Sequence, residues 1–171
     1  MSVHEHKAEA PDRVRCKVIT VSDTRTKETD KSGKRMIEYL EENGHDVAAY
    51  EIVKDEPIPI RSAILDGCED SRIDVILTNG GTGIAHRDVT IETVSQLLDK
   101  EMVGFGELFR MLSYTEDIGS AAILSRAIAG VAMHTAVFST PGSSGAVKLA
   151  MEKLILPEIS HVVRELRKDR V

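Results

Sequence analysis

The chain has 171 residues, 42% hydrophobic and 29% charged, with 12 Gly and 5 Pro, which fits one globular domain and excludes disordered and fibrous classes. With 22 Lys and Arg against 28 Asp and Glu the formal charge is −6, so the overall field repels polyanions and nucleic acid is not an expected partner. Cys16 and Cys68 have no paired spacing, no apolar run approaches the roughly 18 residues of a membrane span, and no secretory leader is evident, so a cytoplasmic protein that is not membrane-embedded is expected.

Residues 1–12 are polar and aperiodic and read as a flexible N-terminal arm ahead of a single domain over 13–171. His4 and His6 lack further ligands nearby in the sequence and are read as solvated. From Val14 to Val21 a period of two gives way to a continuous apolar run, the pattern of a strand buried on both faces. A helix is expected over 34–43, ended by Gly44, then a strand over 46–53 and a helix after Pro57 and Pro59. Residues 74–78 form the clearest strand, running straight into a Gly-rich turn. Helical patterns follow over 90–98, 105–114 and 121–129, then a short strand over 136–140. The last helical pattern has two parts, 146–156 and a segment opened by Pro157. The repeated strand–helix alternation implies an α/β fold, a mostly parallel open sheet covered by helices on both faces.

In such a sheet, ligands sit beyond the carboxyl ends of the strands. The strongest local signal there is Thr78-Asn79-Gly80-Gly81-Thr82-Gly83, whose glycines let backbone N–H groups approach an anion. It is neither a P-loop nor a dinucleotide fingerprint, and a plain tight turn is the competing reading. Shortly beyond lies His86-Arg87-Asp88-Val89-Thr90, which combines a phosphate donor, Arg87, with a carboxylate. Thr90, with Glu92 in the first turn, can cap the following helix, leaving Asp88 free for metal coordination. Asp55, after the second strand, lies on the same expected edge. Two such acids can hold Mg²⁺ against a triphosphate, although Asp55 on its own reads as an exposed loop acid. Ser22-Asp23-Thr24-Arg25, Asp30-Lys31-Ser32-Gly33, Leu124-Ser125-Arg126 and Pro141-Gly142-Ser143-Ser144-Gly145 add hydroxyls, backbone donors and cations, each with capping or turn formation as its alternative.

Taken together and in this order, these motifs, with Gly-Phe-Gly-Glu-Leu-Phe-Arg and Leu-Ser-Arg-Ala, resemble the MoaB/MogA family of molybdenum cofactor biosynthesis proteins, related to the gephyrin G domain. Pro-Gly-Ser-Ser-Gly-Ala is most similar to the MoaB branch, whereas Ile91 stands where the family usually has proline. The resemblance implies a three-layer molybdopterin-binding fold, molybdopterin as substrate and, in active members, transfer of AMP from Mg-ATP to its terminal phosphate with release of pyrophosphate. It implies catalytic roles for Asp55, Asp88 and Ser125, with Asp55 and Asp88 at Mg²⁺. It also implies substrate contacts by Ser22, Asp23, Asn79, Gly80, Gly81, Thr82, Gly83, Arg87, Pro141, Gly142 and Ser143. A homo-oligomer, trimeric or hexameric, and a downstream molybdenum-insertion enzyme are the implied partners. The face of Phe105, Leu108, Phe109 and Leu112 is a candidate contact. Two other readings compete with the adenylyltransferase: a non-catalytic molybdopterin carrier, and an assembly subunit in which the glycine turns only punctuate the fold.

Overall fold

The structure, a computed structural model, describes residues 2–170. Strands β1 (Arg15–Val21), β2 (Asp46–Val53), β3 (Val75–Asn79), β4 (Lys100–Glu101), β5 (Ile128–Ala132) and β6 (Thr135–Thr140) form one sheet in the order β2-β1-β3-β6-β5-β4. The pairs β1–β2, β1–β3 and β3–β6 are parallel, and the β5 edge is antiparallel to both β6 and β4. The helices are α1 (Val3–Ala8), α2 (Lys31–Glu42), α3 (Pro57–Glu69), α4 (Thr90–Leu97), α5 (Val103–Glu116), α6 (Ser144–Ala150) and α7 (Leu156–Arg167).

The two-faced burial expected of β1 is observed. Cys16 and Val18 point into a core with Met36 and Leu40 of α2, Phe105 and Phe109 of α5, and α6 and α7. Ile19 and Val21 point the other way, onto Ile60 and Ile64 of α3 and Val94 of α4. That alternation makes the sheet the middle of three layers, and the crossovers bring the loops after β1, β2, β3 and β6 to its carboxyl edge.

Two stretches differ from the expectation. Residues 121–129 are not a helix: a 3₁₀ turn over Gly119–Leu124 leads into β5, which pairs with Phe138 and its neighbours in β6. Small residues suit that strand, because a Cβ on Gly130 would lie 2.3 Å from the Lys100 carbonyl of β4. The arm expected to be flexible contains α1. Ser2 and Glu5 make a capping box, Lys7 pairs with Glu158, and Arg164 Nη2 donates to Glu9 at 2.6 Å, so the segment docks on α7. Pro157 ends neither of its neighbours. A single π turn over Met151–Ile155 joins α6 to α7 and absorbs the hydrogen bond that proline cannot donate. Among the described residues no helix is long and apolar enough to cross a membrane.

Candidate active site

The carboxyl edge of β1, β3 and β6 opens into a cavity of about 550 Å³, within the size range of small-molecule sites. Its floor is the turn after β3. Gly80 has φ +97°, and a Cβ there would sit 2.3 Å from the Val21 carbonyl, so glycine is required for β1 and this turn to meet. Gly81 has φ +67° and packs against Thr90, whose hydroxyl donates to the Gly80 carbonyl at 3.0 Å. Thr90 thus clasps the turn, whereas α4, which it was expected to cap, is entered through Val89 with no side-chain cap.

The two acids reach this turn from different loops. A Cβ on Gly81 would fall 2.9 Å from Asp55 Oδ1, and one on Gly83 would fall 2.6 Å from Asp88 Oδ2, so the glycine backbone lies directly against both carboxylates. Asp88 Oδ2 accepts from the Ala85 N–H at 3.0 Å. Asp55 and Asp23 exchange hydrogen bonds: Asp23 N–H donates to Asp55 Oδ2 at 2.9 Å and Asp55 N–H to Asp23 Oδ1 at 3.1 Å, which joins the ends of β1 and β2. Burial, and then the charges of Asp23 and Asp88, push the Asp55 carboxyl above its ordinary range. Asp23 is held below its ordinary range, chiefly by Arg87.

Asp55, Asp88 and Ser125 all line the cavity, with Ser22, Gly80, Gly81, Thr82, Gly83, Pro141, Gly142 and Ser143. Three expected substrate contacts do not. Arg87 is closed on Asp23 by two hydrogen bonds, at 2.7 and 3.1 Å, and spends its fork on a carboxylate rather than offering it to a phosphate. Asp23 is the other half of that clasp. Asn79 is fully buried beneath the floor, where it accepts from Ser32 at 2.9 Å and donates to Thr20 at 3.0 Å.

The cations that do line the cavity are Arg25 and Arg126. Arg126 donates to the carbonyls of Thr82 at 2.9 Å and Gly83 at 2.7 Å and pairs with Glu92, fixing the rim of the glycine turn. Arg25 donates to the Gly142 carbonyl at 3.1 Å and to Ser32, tying the loop after β6 to α2. Both stand inside motifs the sequence had flagged, directly after Thr24 and Ser125. The available signal was that an arginine in an otherwise apolar or turn-forming stretch needs a partner.

A parallel-sheet edge with glycine amides, two acids and two arginines around one hollow defines an α/β protein with a ligand-sized cavity beyond the carboxyl ends of its strands. The family described as "Probable molybdopterin binding domain" matches residues 17–161. Molybdenum cofactor biosynthesis protein B of Bacillus subtilis (strain 168) is 73% identical over 170 residues, covering 99% of this chain and all of that one. A crystal structure of a Molybdenum cofactor biosynthesis protein B superposes with TM-score 0.91 at 64% identity, covering 93% of this chain and 99% of the other. The tungsten cofactor synthesizing protein MoaB from Pyrococcus furiosus superposes with TM-score 0.82 at 41% identity, covering 93% and 100%. The chain belongs to the MoaB/MogA family of molybdopterin-binding-domain proteins.

Proposed function

We propose that the chain binds molybdopterin in the glycine-lined cavity and transfers AMP from Mg-ATP to its terminal phosphate, releasing pyrophosphate. The observation that carries this reading is that Asp55 and Asp88, from loops after different strands, line one cavity with the Gly80–Gly81 turn. The donor set fits Mg²⁺. Its oxygens are hard, and Asp55 and Asp88 both line the cavity, with Asp23 beside them bonded to Asp55 and clasped to Arg87. When bound there, Mg²⁺ supplies charge neutralisation for the polyphosphate and for the pyrophosphate leaving group.

The chain's own work is positioning. Backbone donors of the Gly80 turn and of the loop after β6, with the Ser125 hydroxyl, hold the molybdopterin phosphate. Arg25 and Arg126 keep those loops at a fixed separation and add positive potential. A phosphate oxygen of molybdopterin then bonds to the α-phosphorus of ATP as the bond to the β-phosphate oxygen breaks. Both reactants are anions, so alignment and charge compensation provide the acceleration and no covalent nucleophile of the chain is needed. Purified protein with molybdopterin and Mg-ATP is expected to release pyrophosphate and yield adenylylated molybdopterin by mass. Molybdopterin binding without pyrophosphate release would instead identify a carrier. The adenylylated product would suit a molybdenum-insertion enzyme downstream.

A homo-oligomer is part of the proposal, through a face that keeps Leu108 of the expected contact but not Phe105 or Phe109. Phe105 and Phe109 turn into the core, with Phe109 fully buried. The exposed apolar side instead carries Leu108, Met111 and Tyr114 of α5 and continues to Ile123, which is 85% exposed. Light scattering is expected to give a trimer or hexamer for the native chain and a smaller species for Ile123→Asp, with unchanged circular dichroism. A monomeric native chain would remove this element.

A further inference from the structure

Outside the cavity, the described residues contain one cluster with transition-metal donor chemistry, where α1 lies on α7. His6, His161 and Glu165 each offer a donor atom, and these atoms lie within 4.8 Å of one another. We propose that they form a binding site for a borderline divalent metal, Zn²⁺ being the best match, which fastens α1 to α7. Two imidazoles and one carboxylate are a donor set that favours Zn²⁺ over Mg²⁺.

The arrangement has the features of a chelate. His161 and Glu165 are four residues apart and share one face of α7. His6 Nδ1 is 3.2 Å from Glu165 Oε1, close to the edge of a tetrahedron with metal–ligand bonds of about 2 Å. The imidazoles of His6 and His161 meet edge to face, with centroids 5.8 Å apart. Glu158 lies 2.9 Å from His161 Nδ1 and also holds Lys7. With Glu158 accepting a hydrogen bond from Nδ1–H, the Nε2 lone pair is left for a metal and the ring is fixed, the usual task of a carboxylate behind a ligating histidine. All three side chains are partly exposed, at 24%, 20% and 32%, so an ion has a path in and a fourth position remains for water. Arg164 and Lys168 already contact Glu165, so an ion must compete with them for its oxygens. None of these residues lines the cavity, and the site is separate from the proposed Mg²⁺ site.

His6 looks solvated in the sequence because its partners lie more than 150 residues away and become neighbours only when α1 docks. Binding would therefore order the start of the chain.

The test uses the untagged full chain, titrated calorimetrically with Zn²⁺ and, in parallel, with Co²⁺ followed by its visible absorption. One Zn²⁺ per chain and tetrahedral Co²⁺ bands are expected in the native protein and in Asp55→Asn/Asp88→Asn. Both signals should be lost in His6→Ala and His161→Ala, and Glu158→Gln should bind roughly tenfold more weakly. Zn²⁺ should also slow proteolysis within residues 3–12 of the native chain but not of His6→Ala. His6 lies outside the sheet and its core, so His6→Ala keeps the fold and decides the matter even if His161→Ala does not. Absence of Zn²⁺ binding to the native chain, or equal binding by His6→Ala, overturns the proposal.

Discussion

Asp55→Asn and Asp88→Asn are each expected to lower molybdopterin-dependent pyrophosphate release by roughly 10²-fold or more while leaving the fold intact. The asparagines are isosteric, and each keeps an oxygen where a backbone N–H now donates, from Asp23 at 2.9 Å to residue 55 and from Ala85 at 3.0 Å to residue 88. Only charge is removed. For Asp55 the stability effect has a definite sign. Its folded-state pKa is raised by burial and by neighbouring acids, so the ionised form is less favourable in the fold than in the unfolded chain. The proton-linked stability it contributes is full below the unfolded value of about 3.8 and is lost as pH rises through the folded value. At neutral pH without divalent ions, Asp55→Asn is therefore expected to melt at the same temperature as the native chain or higher. Loss of activity together with unchanged or raised Tm is the signature of a charge kept for chemistry. Full activity in both variants, measured beside a calorimetric scan, would take the metal site away from these acids.

The parallel half of the fold was legible because each of its strands carries its own local signal. β1 reads as a two-faced apolar run, the bounds of β2 coincide with its pattern at Asp46–Val53, and β3 ends in glycines. The antiparallel edge was hidden. β5 is a short unbroken run of Ile, Ala, Gly and Val, whose periodicity does not separate a strand from a buried helix segment, and the turn joining it to β6 uses Met133 and His134 at φ +48° and +70°. Residues that rarely adopt positive φ give no turn signal, and only pairing across the sheet makes them affordable. At the site, the type of each residue pointed to the right edge of the sheet, but its partner was invisible. Nothing local says that Arg87 closes on Asp23, 64 positions earlier, or that Asn79 turns down into the fold instead of up into the cavity. The cations that line the cavity, Arg25 and Arg126, became visible only through their bonds to carbonyls of distant loops.

Asp30→Ala is expected to be the most destabilising exchange at a polar residue, by roughly 3 kcal/mol or more in urea unfolding. Asp30 is fully buried and caps α2, with Oδ1 accepting from the Gly33 N–H at 3.0 Å. Oδ2 accepts from Thr20 at 2.6 Å and from Tyr50 at 2.5 Å, and the Arg25 guanidinium stands 3.6 Å away. Alanine removes every one of those acceptors and leaves the Gly33 N–H and the Thr20 and Tyr50 hydroxyls without their carboxylate partner. The network continues through Thr20 to Asn79 and Ser32, so the floor of the cavity loses its support as α2 loses its cap. Burial raises the Asp30 pKa, but the hydrogen bonds from Thr20, Tyr50 and Gly33 and the charge of Arg25 outweigh it, and the carboxyl titrates below its usual 3.8. Its contribution is thus complete above about pH 4 and fades as pH falls through the lowered folded-state value. Native chain and Asp30→Ala should differ most at neutral pH and converge in acid. A difference below about 1 kcal/mol at pH 7, or one independent of pH down to acid unfolding, would mean that the hydroxyls and Arg25 find other partners and that α2 does not rest on this carboxylate.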